Sequence, residues 1–239
     1  MTSLTKGIYR VEPANGAYDM AAVYNLRGLC FGAAGGVADP FDAKATHVVM
    51  RNEARDIVAT FRMSRFVGTR LQDSYAADFY DLTALQRFYG PMLELGRFCI
   101  HPEVNDPDIL RIAWAALTAY VDENGIEMLF GCSSFTGTDP QVYLDAFAVL
   151  KARHLGPAEW MPQVKAADVY RYGAVLRRKP DLAKANAVLP PLLRTYLAMG
   201  GWVSDHAVVD RAMNTLHVFT ALEIGAIPAA RKKLLRALV

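Results

Sequence analysis

Residues 92–101 read as a β-strand, yet its middle holds Glu94-Leu95-Gly96-Arg97. A carboxylate and a guanidinium in an apolar strand cost on the order of several kcal/mol unless they are paired or used. In a regular pleat, side chains three apart point to opposite faces. Two arrangements follow. Glu94 and Arg97 are a buried ion pair that fixes sheet geometry, or a bulge at Gly96 brings both to one site.

The rest of the chain supplies a sheet for this strand. Residues 21–31 predict a helix that stops before Gly32, and residues 32–40, with three glycines and a proline, a loop. Residues 46–51 and 56–64 predict two strands joined by a turn. In the second, Ile57, Ala59, Phe61 and Met63 share one face, and Val58, Thr60, Arg62 and Ser64 the other. A polar connection spans 67–83. Asp106-Pro107 opens a helix over 108–123, which Asn124-Gly125 ends. A strand at 126–132, a helix at 140–154, strands at 169–176 and 216–222 and a helix near 191–199 complete the pattern. This is a mixed α/β domain with one central sheet, and no Pro/Ser-rich linker divides it.

At 239 residues the chain can bury roughly three quarters of its unfolded surface without a metal or disulfide staple. Its three cysteines, Cys30, Cys99 and Cys132, show no metal-ligand spacing, which predicts a reduced, cytoplasmic protein and no metal. The first ten residues lack the pattern of a secretory signal, and no apolar run approaches the ~20 residues of a membrane span. The net charge of +2 hides a split. Residues 1–145 hold 12 basic and 18 acidic side chains, a balance of −6, whereas 146–239 hold 14 and 6, a balance of +8. A basic half of this kind attracts an acidic partner.

Four constellations carry chemistry: Arg27 with Phe31, four apart on one helix face; Asp39 with Asp42; Arg62 within its strand; and Glu94 with Arg97. In that order they resemble the acyl-homoserine-lactone autoinducer synthases, enzymes of the GNAT fold that take acyl groups from acyl carrier protein. The chain departs from that family in having no Trp between Phe31 and Asp39. A longer resemblance, from about Phe41 to Pro228, is to the ornithine-lipid N-acyltransferases, members of which are often labelled hemolysins. It runs through Phe41-Asp42-Ala43 with His47, Glu94-Leu95-Gly96-Arg97 with His101-Pro102, and Tyr120-Val121-Asp122-Glu123-Asn124-Gly125. It continues through Met128-Leu129-Phe130-Gly131-Cys132-Ser133-Ser134-Phe135, Gly137-Thr138-Asp139-Pro140, Leu189-Pro190-Pro191-Leu192-Leu193 and Ile227-Pro228.

The resemblance implies a single GNAT-like acyltransferase domain over 1–239, a mixed central sheet flanked by helices, with a core of about 18–150 and a C-terminal extension of the same sheet over about 151–239. It implies transfer of a 3-hydroxyacyl chain from acyl carrier protein to the α-amino group of ornithine, giving lyso-ornithine lipid. Relatives acting on glutamine or glycine keep those acceptors open. So do an autoinducer-type signal synthase and, in another class, a membrane-interacting protein that is no enzyme.

The residues add their own argument about the donor. Coenzyme-A-dependent GNAT enzymes cradle the pyrophosphate with a glycine-rich loop at a helix start. Here no glycine lies between Gly96 and Gly125, and carboxylates line the connection. The expected donor is the phosphopantetheine arm of acyl carrier protein, with no bound cofactor. Arg153, Arg177, Arg178 and Lys179 are the candidate carrier contacts, together with Arg231, Lys232, Lys233 and Arg236 of the tail.

Glu94 is the candidate base and acts with Arg97 as the catalytic pair; Arg27, Phe31, Asp39, Asp42, Arg62 and Ser133 are the candidate substrate contacts. Asp39 and Asp42 are expected to hold ammonium groups of the acceptor, and Arg62 or Arg97 its carboxylate. His47 reads as structural. The tail from Pro228 reads as an amphipathic basic helix with Leu234, Leu235 and Leu238 on one side, a peripheral contact for the inner face of an anionic membrane. No nucleic acid partner is implied.

Overall fold

The computed structural model describes residues 1–237. In chain order the elements are β1 (Leu4–Lys6), β2 (Tyr9–Pro13), α1 (Gly16–Phe31), β3 (Thr46–Arg51), β4 (Ile57–Phe66), α2 (Ala76–Phe79), β5 (Tyr80–Asp81), β6 (Met92–Ile100) and α3 (Pro107–Asn124). Then come β7 (Met128–Thr136), α4 (Leu144–Arg153), β8 (Gln163–Val164), β9 (Val169–Tyr170), α5 (Tyr172–Val175), α6 (Leu182–Val188) and α7 (Pro191–Ala198). The chain ends with β10 (Trp202–Asp210), β11 (Thr215–Glu223) and α8 (Ala229–Arg236). Two compact units share them. The first takes residues 1–65, 93–127 and the chain from Pro228; the second takes 66–92 and 128–227.

In the first unit the strands lie in the order β1, β2, β3, β4, β6. β3 and β4 are antiparallel, with His47 opposite Arg62 and Val48 opposite Phe61. The two faces of β4 alternate as expected, but the face with Thr60 and Arg62 is as deeply buried as the one with Phe61 and Met63. Thr60 meets that burial by donating its hydroxyl to the Val48 carbonyl (2.8 Å). α3 begins and ends as its sequence predicts. The Asp106 carboxylate accepts from the Asp108 N–H (2.8 Å), Pro107 opens the first turn, and Gly125 closes the helix at φ 57.

The tail forms α8, which packs on α3. Arg236 donates to both Asp122 carboxylate oxygens (2.8 and 2.9 Å), so this cation is bound to its own chain. Leu235 is half-buried and Leu234 exposed, while Leu238 lies outside the described residues.

In the second unit the antiparallel strands run β7, β11, β10, β9, and β5 pairs separately with β8. One apolar cluster gathers Leu71, Tyr80, Phe130, Trp202 and Phe219, and another Phe135, Phe147, Leu150, Tyr172, Leu193 and Val218. Alternation along β11 sends Phe219 to the first and Val218 to the second.

Two sequence expectations fail here. Residues 169–176 are extended only through Tyr170. At Tyr172 the chain turns helical, buries that ring and donates its hydroxyl to the Ser204 carbonyl. β10 was not expected, because Ser204-Asp205-His206 breaks its apolar alternation. Those residues form an irregularity between Val203 and Ala207, where the Ser204 hydroxyl accepts the Phe219 N–H (3.1 Å) in place of a ladder carbonyl. Among the described residues, no helix is long and apolar enough to cross a membrane.

Candidate active site

Four separate segments of the first unit converge on one buried cluster of charge. Arg27 comes from the last turns of α1 and is 1% exposed. Its Nη1 donates to both carboxylate oxygens of Asp42 (2.9 and 3.0 Å), and its Nη2 lies 3.6 Å from Asp39. Arg62, from β4, donates through Nη1 to Asp39 (2.5 Å) and Asp42 (2.6 Å). Arg97, from β6, donates to the second oxygen of Asp39 (2.9 Å). Three guanidiniums thus surround two carboxylates.

The loop that carries the carboxylates is held by small residues. Gly32 ends α1 at φ 74, and the chain folds back against the helix. A Cβ on Gly35 would meet Phe31 Cβ at 2.4 Å and the Arg27 carbonyl at 2.9 Å, and one on Gly36 would meet Gly28 Cα at 3.1 Å. Only glycine permits that approach. Phe31 is consequently a half-buried packing partner of the loop. The Asp39 carboxylate then accepts the Phe41 N–H, Asp42 accepts the Asp39 N–H, and the Phe41 ring lies 5.6 Å from the Arg62 guanidinium.

These contacts set the protonation states. Burial raises both Asp39 and Asp42, but hydrogen bonds outweigh it and hold both below the usual carboxylate range: from Arg62 and Arg97 to Asp39, and from the Asp39 backbone, Arg27 and Arg62 to Asp42. His47, opposite Arg62 on β3, is held below the ordinary histidine value by burial despite its contact with the Asp42 carbonyl (3.1 Å). It adjoins the cluster through Asp42 and is biased toward the neutral form. Tyr24, three residues before Arg27, was not singled out by the sequence; its ring lies 5.3 Å from the Arg27 guanidinium.

Glu94 is buried on β6. Three residues on, Arg97 adopts φ 53, a left-handed conformation inside a strand, which costs a non-glycine residue about 1–3 kcal/mol and clusters at working sites. Arg97 directly follows Gly96, where a bulge was expected, within a strand that runs from Met92 to Ile100. Gly96 serves differently: a Cβ there would stand 3.3 Å from Arg62 Nε and 3.6 Å from its Cγ, so the missing side chain makes room for the Arg62 stem.

The expected ammonium contact of Asp39 and Asp42 meets a physical obstacle, because all four carboxylate oxygens already accept from guanidiniums. Ser133 belongs to the second unit, on β7, where its hydroxyl accepts from Thr220 (2.9 Å). Arg153, Arg177, Arg178 and Lys179 are exposed cations of that unit, at the end of α4 and between α5 and α6; Arg178 is paired with Asp145 (2.8 Å). Among the described residues, no group of His, Cys, Asp or Glu could hold a metal ion, and all three cysteines are free thiols.

Residues 32–115 match the acetyltransferase (GNAT) domain family. The chain is 32% identical over 237 residues to the L-ornithine N(alpha)-acyltransferase of Rhodobacter capsulatus, with 91% of each chain covered. It is 32% identical over 203 residues to that of Brucella abortus, with 80% of this chain and 71% of the relative covered. Among solved structures it resembles FeeM, an N-acyl amino acid synthase from uncultured soil microbes, with a TM-score of 0.50 at 11% identity over 91% of this chain and 92% of FeeM. The fold is that of the GNAT acyltransferases, a mixed sheet with flanking helices, and the protein is an acyltransferase enzyme. By its likeness along nearly its whole length, the chain belongs to the L-ornithine N(alpha)-acyltransferase family.

Proposed function

We propose that the protein transfers a 3-hydroxyacyl group from acyl carrier protein to the α-amino group of ornithine, giving lyso-ornithine lipid. The observation that carries this reading is the buried cluster of Arg27, Arg62 and Arg97 on Asp39 and Asp42, with Arg97 left-handed on the strand that also carries the buried Glu94. Ornithine as acceptor rests on the names of the relatives.

The buried arginines suit the acceptor's α-carboxylate. Arg27 keeps Nε and Nη2 as buried donors with no acceptor. Asp39 and Asp42 act through the arginines, holding their planes in place. Glu94 takes the proton of the attacking ammonium, directly or through a water, a step typically worth ~10²–10⁴ in rate. The amine nitrogen attacks the thioester carbonyl, and backbone N–H groups of β6 around the left-handed Arg97 receive the oxyanion. Collapse breaks the C–S bond; the thiolate takes the proton that the acylated nitrogen gives up and leaves as the phosphopantetheine thiol, and Glu94 releases its own proton to water.

The start of α3 supports a carrier-protein donor. Asp106 already occupies the first-turn N–H of Asp108, and Pro107 has none to offer, so a pyrophosphate would meet a carboxylate at that helix end. On this reading the acidic carrier docks on Arg153, Arg177, Arg178 and Lys179, in the cytoplasm at the inner face of the membrane.

The test supplies 3-hydroxyacyl carrier protein with a panel of amino acids and weighs the products. Ornithine should be acylated at its α-nitrogen, and Glu94→Gln should lose ~10² or more of kcat with an unchanged melting temperature. Acylation of no amino acid refutes the reading. Near-normal turnover by Glu94→Gln removes that residue from its role.

A further inference from the structure

Between Pro13 and Ala38 the sequence carries two charges, Asp19 and Arg27, and both are buried. Asp19 binds Arg51 (2.5 Å), and Arg27 belongs to the cluster. The outer face of α1 is therefore bare of charge over 16 residues, about 24 Å of helix. Ala17, Tyr18, Ala21, Asn25 and Leu29 line it. Tyr18 is 84% exposed and Leu29 62%. The loop packed back on α1 through Gly35 and Gly36 extends the surface with Ala33, Ala34, Val37 and Ala38, Val37 being 61% exposed. A water-facing helix ordinarily alternates an apolar stripe with a charged one. This one does not.

We propose that the outer face of α1 and its following loop is the surface by which the enzyme rests on a lipid bilayer. Charge complementarity selects this occupant. An acidic carrier protein needs cations, and the face has none. A second protein copy needs about 1,200–2,000 Å² of shaped contact with aromatic or arginine anchors. Here Tyr18, Leu29 and Val37 stand apart among alanines and Asn25. A bilayer asks for no matching shape; it takes an apolar face with a tyrosine at the headgroup level. The inner face of the same helix presents Arg27 to the site, so a lipid product would form one helix diameter from the membrane that receives it. The choice of occupant rests to that extent on the function proposed above. It also moves the membrane contact from the basic tail to α1.

Flotation of the full-length protein with phosphatidylcholine vesicles tests this. The wild type should float equally at low salt and at high salt, because no exposed cation on the face drives binding. The triple variant Tyr18→Glu, Leu29→Glu, Val37→Glu should bind roughly tenfold less or weaker, while keeping its turnover with carrier-bound donor and ornithine in the absence of vesicles. The corresponding triple serine variant repeats the test without added charge. Arg231→Glu with Lys233→Glu on α8 should float like the wild type. The proposal is overturned if the wild type stays unbound, if both triple variants float unchanged, or if only the α8 variant detaches. It is equally overturned if light scattering shows a wild-type dimer that the triple variants dissolve. If ornithine is not acylated yet the flotation pattern holds, the function falls and the surface stands.

Discussion

Replacing Asp42 by Asn keeps the shape of the cluster and removes one of its two negative charges. Asp42 accepts from Arg27 through both oxygens, from Arg62 at 2.6 Å and from the Asp39 N–H at 3.0 Å. An asparagine keeps one acceptor oxygen and turns an NH₂ toward guanidinium donors. Of the guanidiniums that Asp42 accepts from, Arg27 and Arg62 are both almost fully buried. Removing one partner of a buried ion pair costs about 3–5 kcal/mol, because the remaining charge is stranded. For a protein of this length each kcal/mol lowers the melting temperature by about 2–4 °C, so Asp42→Asn should lose roughly 6–20 °C. Thermal unfolding followed by circular dichroism reads this directly. A double-mutant cycle sharpens it: adding Arg27→Met to Asp42→Asn should cost less than the sum of the single losses, by about 0.5–3 kcal/mol. A single variant that melts within 2 °C of the wild type (roughly the effect of 1 kcal/mol), or a cycle with no coupling, would falsify the view that these charges are held by each other.

Gly96→Ala should disturb the site more than the fold. Its Cβ would stand 3.3 Å from Arg62 Nε, so the guanidinium must yield by a few tenths of an ångström; kcat/KM should fall by roughly tenfold while the melting temperature changes little, and unaltered kinetics would refute the close approach. His47 gives a pH signature. Its folded pKa lies below the unfolded value of about 6.5, so between the two the unfolded chain binds more protons and stability falls as pH drops below about 6.5. Asp39 and Asp42, also depressed, add their losses only as pH falls below about 4. Melting temperatures at pH 7.5 and 5.5 should therefore differ less for His47→Gln than for the wild type, with an equal drop counting against a buried neutral imidazole.

The elements that sequence located well are those whose signals are local. Asp106-Pro107 and Asn124-Gly125 mark α3 because a cap, a ring and a left-handed glycine act within one turn. The strands around Val48, Phe61 and Val218 show apolar alternation that needs no distant information. β10 stayed hidden because its Ser204-Asp205-His206 segment is stabilised by Phe219 and Tyr172, residues that only tertiary structure brings near. The turn into α5 has the same origin. Apolar Val169 to Leu176 suits a strand, and only the packing of Gly173 against Asp205 and the burial of Tyr172 decide otherwise.

The site divides along the same line. Arg27, Asp39, Asp42, Arg62, Glu94 and Arg97 stood out one by one, since charge in apolar context is conspicuous in a sequence. Who holds whom was not, because the partners lie as far as 58 residues apart. The pairing gives every oxygen of the two aspartates a guanidinium donor, so an ammonium group of the acceptor would have to share them. Buried ion clusters add little stability over an apolar core of similar volume, and Arg97 adds backbone strain besides. A cluster that is costly to bury and strained at one member is a poor way to hold a fold together. In the mechanism proposed its arginines receive the acceptor's carboxylate, and Glu94, on the same strand as Arg97, meets the amine of the same molecule.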